Sequence, residues 1–470
     1  MIPPSLCPGS VSAVCERRRR WAFGLTARSI GLLLVGFVWL VPGFWDWRLA
    51  FAMPAWDALV LIFALMDGLR LPVAGELVAS RTWSNAPALN SETEIELTVE
   101  NRGRTIIECR LVDDLPPALV TEPATLRLTA FPRVPASLRY RVQPKERGDC
   151  ETGWLYVRYR SPLGLAERWA RAPLTQTVRV YPALRAGEEQ QIFLARSRQI
   201  DLQLRRSQLR GLGRDFESLR DYREGDDLRD ICWTATARRG IPITRQYQTE
   251  RSQPVWIVLD CGRLMRARVA MAVSHKKSGG ASCHSKLDYA CTTAVALAQL
   301  ALYSGDRVGL LAYGQGIQQR LLPGRSAAHL RQLIESLAQL RAELSEADHL
   351  RATATLNRLQ PRRSLILWVT DLAETTMRPE VIDGALQLLR RHILLFVAMA
   401  QPEVELIAQA RPRNVEQMFR ATAAQEMAGR RELLLARLRE QGALTFDLNP
   451  EALTASVLNQ YLKVKERAMV

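Results

Sequence analysis

None of the eight cysteines (positions 7, 15, 109, 150, 232, 261, 283 and 291) stands in a C-x-x-C pair. That excludes the usual zinc ribbons and fingers and the dithiol redox motif. Cys283-His284 with His275 nearby has the right ligand types for zinc but no second paired motif. Isolated thiols of a reducing compartment are the plainer reading. The chain also lacks a G-x-S-x-G elbow, a Walker loop and an H-E-x-x-H pair, and its five histidines have no catalytic spacing. Asp260 and Asp371 are the carboxylates that could act as an acid/base pair. No further group joins them, so neither a catalytic residue nor a cofactor is assigned. The net charge of +16 comes partly from Arg17 to Arg20 and otherwise from arginines spread along amphipathic segments. With no block of basic residues alternating with aromatics, it does not point to nucleic acid.

What is present is long and apolar enough for several domains: 470 residues, 47% of them hydrophobic. After a basic tail at residues 1–23, expected to be cytoplasmic, two apolar stretches lie within 24–70, separated by "DWR". Each is about what a helix needs to cross the ~30 Å hydrocarbon core of a bilayer. Trp39, Trp45, Trp47 and Trp56 gather around the turn, as an interfacial belt does. Asp57 is costly inside the second stretch unless it is paired. A transmembrane hairpin in the bacterial cytoplasmic membrane is therefore expected. Arg17 to Arg20 should stay cytoplasmic, and an even number of crossings returns the rest of the chain to the same side.

Residues 74–183 change to short alternating runs such as "TEIELTVEN", each closed by Gly, Pro or Asn. This pattern predicts a β-sandwich of immunoglobulin-like type. From 251 to 470, nearly continuous apolar runs ("PVWIVLD", "DRVGLLAYG", "SLILWVTDL", "HILLFVAMA") alternate with helical periodicities. That predicts an α/β domain with a doubly wound parallel sheet and a ligand crevice at the strands' carboxyl ends, where Asp260 and Asp371 fall.

Between the two regions, within 184–250, lies "GLGRDFESLRDYREGDDLRDICWTATARRGIPITRQYQTE". The order of Asp215, Arg220, Tyr222, Gly225, Asp226, Asp227, Arg229, Trp233 and Arg238, followed by an apolar strand ending in Asp, closely resembles the bacterial domain-of-unknown-function family 58. The resemblance extends to "ERGDCETGWLYVRYRSPLGL" and the closing "LNQYLKVKERAMV". It implies that residues after 250 form a von Willebrand factor A-like domain. It also implies association with a MoxR-type AAA+ ATPase and that ATPase's client protein. We expect the signature to be mainly structural, bracing the β module against the α/β sheet, with Asp226 and Asp227 paired to arginines and Trp233 buried.

In von Willebrand A domains a D-x-S-x-S loop, a Thr and a later Asp hold magnesium. Here Asp260 keeps the first ligand, Gly262 and Leu264 replace the serines, Ser326 matches the Thr loop loosely, and Asp371 matches the later Asp. Mg²⁺ requires six near-octahedral oxygens, and two of the hydroxyls are missing. Arg263, Arg266 and Arg268 follow at once. A guanidinium about 8 Å from a divalent ion costs roughly 4 kcal/mol at an effective dielectric of ~20. The expectation is a metal-free frame in a membrane-anchored, non-catalytic adaptor that touches the lipid bilayer and protein partners. The alternatives are an envelope-facing sandwich binder or an adhesion module with an atypical metal site.

Overall fold

A computed structural model describes residues 7–17, 23–43, 51–119, 125–183, 193, 195, 197, 215–223, 228–248, 253–270, 283–372 and 380–467. They divide into two compact units, Met1–Ala183 and Leu184–Val470.

In the first unit, strands β1 (Val11–Val14), β2 (Glu16–Arg17) and β3 (Phe23–Leu25) precede helices α1 (Ala27–Gly36), α2 (Leu40–Gly43) and α3 (Ala52–Leu69). Nine strands follow: β4 (Leu77–Trp83), β5 (Thr93–Asn101), β6 (Ile107–Asp113), β7 (Thr125–Ala130), β8 (Pro135–Val142), β9 (Gly148–Thr152), β10 (Leu155–Arg160), β11 (Ala166–Ala172) and β12 (Gln176–Val180). One sheet runs β1-β4-β5-β8; another runs β2-β11-β10-β6-β7, with β3 also on β11. Along β5 every second residue is buried, because side chains of a strand alternate between faces. Ile95, Leu97 and Val99 from the first sheet meet Ile107, Leu111 and Val157 from the second in one apolar core.

Within the segment read as a basic tail, the described residues Val11–Val14, Glu16–Arg17 and Phe23 are strand. β1 pairs antiparallel with β4, Val11 opposite Arg81, and both β2 and β3 pair with β11. "VSAV" carries no strong strand signal of its own, since its partner lies beyond the helices in sequence.

Of the two expected spans, α3 is long and apolar enough to cross a membrane, whereas Ala27–Trp39 is apolar and shorter. The first stretch breaks after Gly36 into a 3-10 turn, Phe37–Trp39. α1 and α3 nevertheless pack together: the Trp56 indole N–H donates to the Leu32 carbonyl at 2.9 Å. Gly36 makes room for Asp57, whose Oδ1 lies 2.6 Å from where a Cβ would stand. The feet of the helices are fastened to the β10–β11 turn. Thr26 donates its hydroxyl to the Gly164 carbonyl and Ser29 to that of Leu165. Asp67 accepts from the Ser161 hydroxyl and from the Leu165 N–H at 3.2 Å.

In the second unit, β13 (Asp215–Asp221) and β14 (Ile243–Gln248) pair antiparallel around α4 (Trp233–Arg239). Then come β15 (Pro254–Asp260), a short antiparallel pair β16 (Arg268–Ala270) and β17 (Cys283–Ser285), α5 (Lys286–Tyr303), β18 (Arg307–Tyr313), β19 (Ile317–Gly324), α6 (Ala327–Gln339) and α7 (His349–Leu359). β20 (Leu365–Thr370), α8 (Glu380–Leu389), β21 (Ile393–Met399), α9 (Pro402–Gln409), α10 (Val415–Glu440), β22 (Leu444–Leu448) and α11 (Leu453–Glu466) complete it. The main sheet has the order β19-β18-β15-β20-β21-β22. Its neighbours are parallel except β19, which returns antiparallel along β18. Val255 to Asp260 are buried at six successive positions, as in a parallel strand covered on both faces.

Candidate functional site at the carboxyl edge of the sheet

Asp260 ends β15, and Asp371 directly follows β20, its parallel neighbour. Both carboxylates are buried. Asp260 Oδ1 accepts the Gly262 N–H at 2.7 Å, and Oδ2 accepts the Thr370 hydroxyl at 2.6 Å. Burial pushes the Asp260 carboxyl above its ordinary range, opposed by the charge of His349 and by these two bonds.

Asp371 is held differently. Its Oδ2 receives the Lys286 ammonium at 2.6 Å and the Gln401 carboxamide at 3.1 Å; its Oδ1 receives the Arg431 guanidinium at 3.1 Å. Arg431 also forks onto Asp447, both contacts at 2.8 Å, and donates to the Met399 carbonyl at 2.7 Å. Burial alone would lower the pKa of Arg431, but its bonds and charge contacts with Asp447 and Asp371 raise it.

Local structure explains how Lys286 arrives. Ser285 caps α5 through a capping box with Asp288, which places Lys286 in the first turn. A cation there opposes the helix dipole by about 0.3–1 kcal/mol. A hydrogen bond to a charged group contributes about 1.5–3 kcal/mol, so the contact with Asp371 wins.

A divalent ion does not fit this arrangement. Asp371 already carries an ammonium and a guanidinium, and Asp260 is spent on its own loop and on Thr370. Arg263, Arg266 and Arg268 are exposed; the cations on Asp371 come from α5 and α10.

One further expectation is corrected. Ser326 is not at this edge: β19 carries the chain back along β18, with Gly324 opposite Val308, before Ser326 caps α6. The backbone at Gly262, with a φ of −72°, does not itself require glycine. The residue provides space instead, because a Cβ there would stand 3.0 Å from both Ala347 Cβ and Ala347 N. Leu264 is half-buried, and it is Met265 that is fully buried beneath the loop.

In the signature, Asp215 and Arg220 lie on β13, and the Tyr222 N–H donates to Pro242 O at 2.9 Å. Arg229 falls in a 3-10 turn, and Arg238 is exposed in the last turn of α4. Gly225, Asp226 and Asp227 lie outside the described residues. Trp233, expected in the core, is 69% exposed. It opens α4, while Ile231 and Cys232 before it and Ile243 across from it are the buried apolar positions. The Thr234 hydroxyl, the Ala235 N–H and Arg245 draw the Cys232 thiol down to about 7.

Beside Arg431 opens a cleft of about 310 Å³, lined by Leu372, Gln401, Val404, Met427 and Leu435 among others. The family model described as "Protein of unknown function DUF58" matches residues 218–409. This stretch matches the DUF58 family model. It contains Asp260, Lys286, Asp371 and Gln401, whereas Arg431 and Asp447 lie beyond the matched residues. Uncharacterized protein Rv1480 of Mycobacterium tuberculosis and uncharacterized protein Mb1516 of Mycobacterium bovis are each 26% identical over 201 residues. The match takes in 42% of this chain and 58% of each relative, so the chain spans little more than half the length of the curated relatives it matches. Among solved structures, the conserved hypothetical protein BatB from Bacteroides thetaiotaomicron aligns at 16% identity and a TM-score of 0.27, over 45% of this chain and 99% of that one. An uncharacterized membrane spanning protein from Vibrio fischeri aligns at 14% identity and a TM-score of 0.16, over 44% and 96%.

Two polar residues of this site within the matched stretch, Lys286 and Gln401, escaped the reading of the sequence, as did Arg431 beyond it. A signal existed for Arg431: it lies on the stripe of Ala424, Leu435 and Leu438 that α10 buries. A cation on a buried stripe needs a carboxylate partner.

Proposed function

We propose that this chain is a membrane-anchored, non-catalytic adaptor of the bacterial cytoplasmic membrane. Its von Willebrand A-like domain engages a MoxR-type AAA+ ATPase or that ATPase's client. The observation that carries the reading is the occupation of the carboxyl edge by the chain's own groups, with two cations on Asp371 and two neutral donors on Asp260. Each oxygen of Asp260 and of Asp371 already accepts a bond from the chain itself, which supports a contact role over acid/base or metal chemistry. The exposed Trp233 favours the signature as part of an interface, since Trp is a preferred anchor at protein–protein contacts. The choice of an AAA+ partner rests on the family resemblance alone.

Membrane anchoring has separate support. Strands on both sides of the helices, β1 and β4, pair in one sheet, so a spanning hairpin must leave and re-enter the same side. Arg17 and the arginines after it support the cytoplasm as that side.

The test is co-purification of the full chain from detergent-solubilised membranes. An AAA+ ATPase should enrich above an unrelated two-span protein, and its absence removes the partner assignment. Topology reporters placed after residue 183 and at the C-terminus should both read as cytoplasmic. Export-dependent activity at either point would promote the envelope-facing alternative.

A further inference from the structure

Isolated exposed apolar side chains are ordinary on any protein. Their distribution on the first unit is not. Among the described residues from 71 to 183, the exposed large apolar side chains are Val73, Ile106, Phe131, Val134 and Leu163. All five lie at one end of the two sheets, the end where the helices enter.

The pairing register establishes this. Leu77, the first residue of β4 after α3, lies opposite Asn101, the last of β5. Ile106 belongs to the loop that leaves Asn101, and in that loop the Thr105 hydroxyl donates to the Arg70 carbonyl at 3.0 Å. Phe131 and Val134 flank a turn whose Arg133 N–H donates to the Asn101 carbonyl at 2.6 Å. Leu163 sits in the β10–β11 turn that grips Thr26 and Asp67. Basic side chains surround the same end: Arg28, Arg70, Arg102, Arg104 and Arg133 are all exposed. At the far end, Val142 closes β8 opposite Thr93, and the loop that follows carries Lys145 and Glu146.

We infer that this end of the sandwich rests in the headgroup layer of an anionic bilayer, with Phe131, Val134, Ile106 and Leu163 dipping among the lipids. The contact is continuous with the hairpin, so the bilayer is the surface already within reach. Exposed apolar tips ringed by arginine are the chemistry that an anionic interface accepts. The inference rests on the reading that the helices span the membrane, and it adds that the module is seated on the surface rather than hung from a free linker.

The experiment uses the full chain in vesicles containing phosphatidylglycerol, with a nitroxide-bearing unnatural residue at position 131, 146 or 61 in turn. Molecular oxygen partitions into lipid and a nickel chelate into water. Position 131 should be more accessible to oxygen than to nickel, and position 146 the reverse. If 131 behaves like 146 while 61 is immersed, the seating is overturned and the spanning hairpin stands. If 61 is also aqueous, the spanning reading itself falls. Combining Arg104→Glu with Arg133→Glu should shift 131 toward the aqueous value of 146. Unchanged immersion would overturn the role given to the arginines.

Discussion

Arg81 in the first unit and Lys286 in the second are both fully buried cations bonded to buried aspartates, yet they stand in different places. Arg81 lies within the sandwich core, on β4 of one sheet, and its partner Asp113 ends β6 of the other. It also donates to the Leu174 carbonyl at 2.8 Å. The pair joins two sheets across an otherwise apolar interior. Lys286 lies at the rim of a sheet, on an aspartate that a second cation and a carboxamide also hold. Similar chemistry thus fastens an interior in one unit and closes a crevice in the other.

That contrast sets the expected size of each perturbation. Arg81→Met should be the most damaging change, about 3–5 kcal/mol in denaturant unfolding, because it leaves Asp113 buried without its cation. Arg81→Lys should rescue little, since an ammonium cannot reproduce the fork that reaches both a carboxylate and a carbonyl. Lys286→Met should cost less, about 1.5–3 kcal/mol, because Arg431 and Gln401 remain on Asp371. Equal losses in the two variants would dissolve the distinction. Calorimetry with Mg²⁺ should show no saturable binding in the native chain.

The units also differ in their response to pH. All five histidines follow residue 274, so the first unit has none. Burial lowers the pKa of His284, His349 and His392. A lowered histidine contributes stability that is complete above its unfolded value of about 6.5 and is lost as pH falls below it. Thermal melts between pH 7.5 and 5.5 should therefore show the second unit weakening as acid is added. His392→Gln should flatten that slope. Asp260 and Asp306, raised by burial, act with the opposite sign. Their contribution is present at low pH and declines as pH rises from the unfolded carboxylate value.

The smallest expected effect is at Trp233. An exposed side chain with no special packing contributes within about 0.5 kcal/mol, so Trp233→Ala should leave the melting temperature nearly unchanged. Partner capture should fall if the signature is an interface. A large drop in melting temperature would return Trp233 to a structural role.

Features that local pattern controls were legible. "PVWIVLD" and "HILLFVAMA" are strands because a run of buried apolar residues has few other stable uses. Ser285 and Ser326 cap helices through their own hydroxyls, a signal contained in a few residues. Long-range contacts were not legible. Nothing around Lys286 announces that Asp371 awaits it, and "GRRELLL" reads as a solvated basic face although Arg431 is drawn inward. Ser326 was misplaced because β19 reverses direction, a choice made by its pairing with β18 and not by its composition.

The strands that open the chain impose an order on its birth. β1 and β2 leave the ribosome before the hairpin, but Val11 pairs with Arg81 and Glu16 with Arg171. β1 must wait, unpaired, until the helices and β4 have been made, and β2 until nearly the whole sandwich has been. Pairings so distant in sequence form late. The helices are therefore complete before the β module can close, and a sandwich that closes correctly certifies that the helical segment has brought both of its ends back to one place.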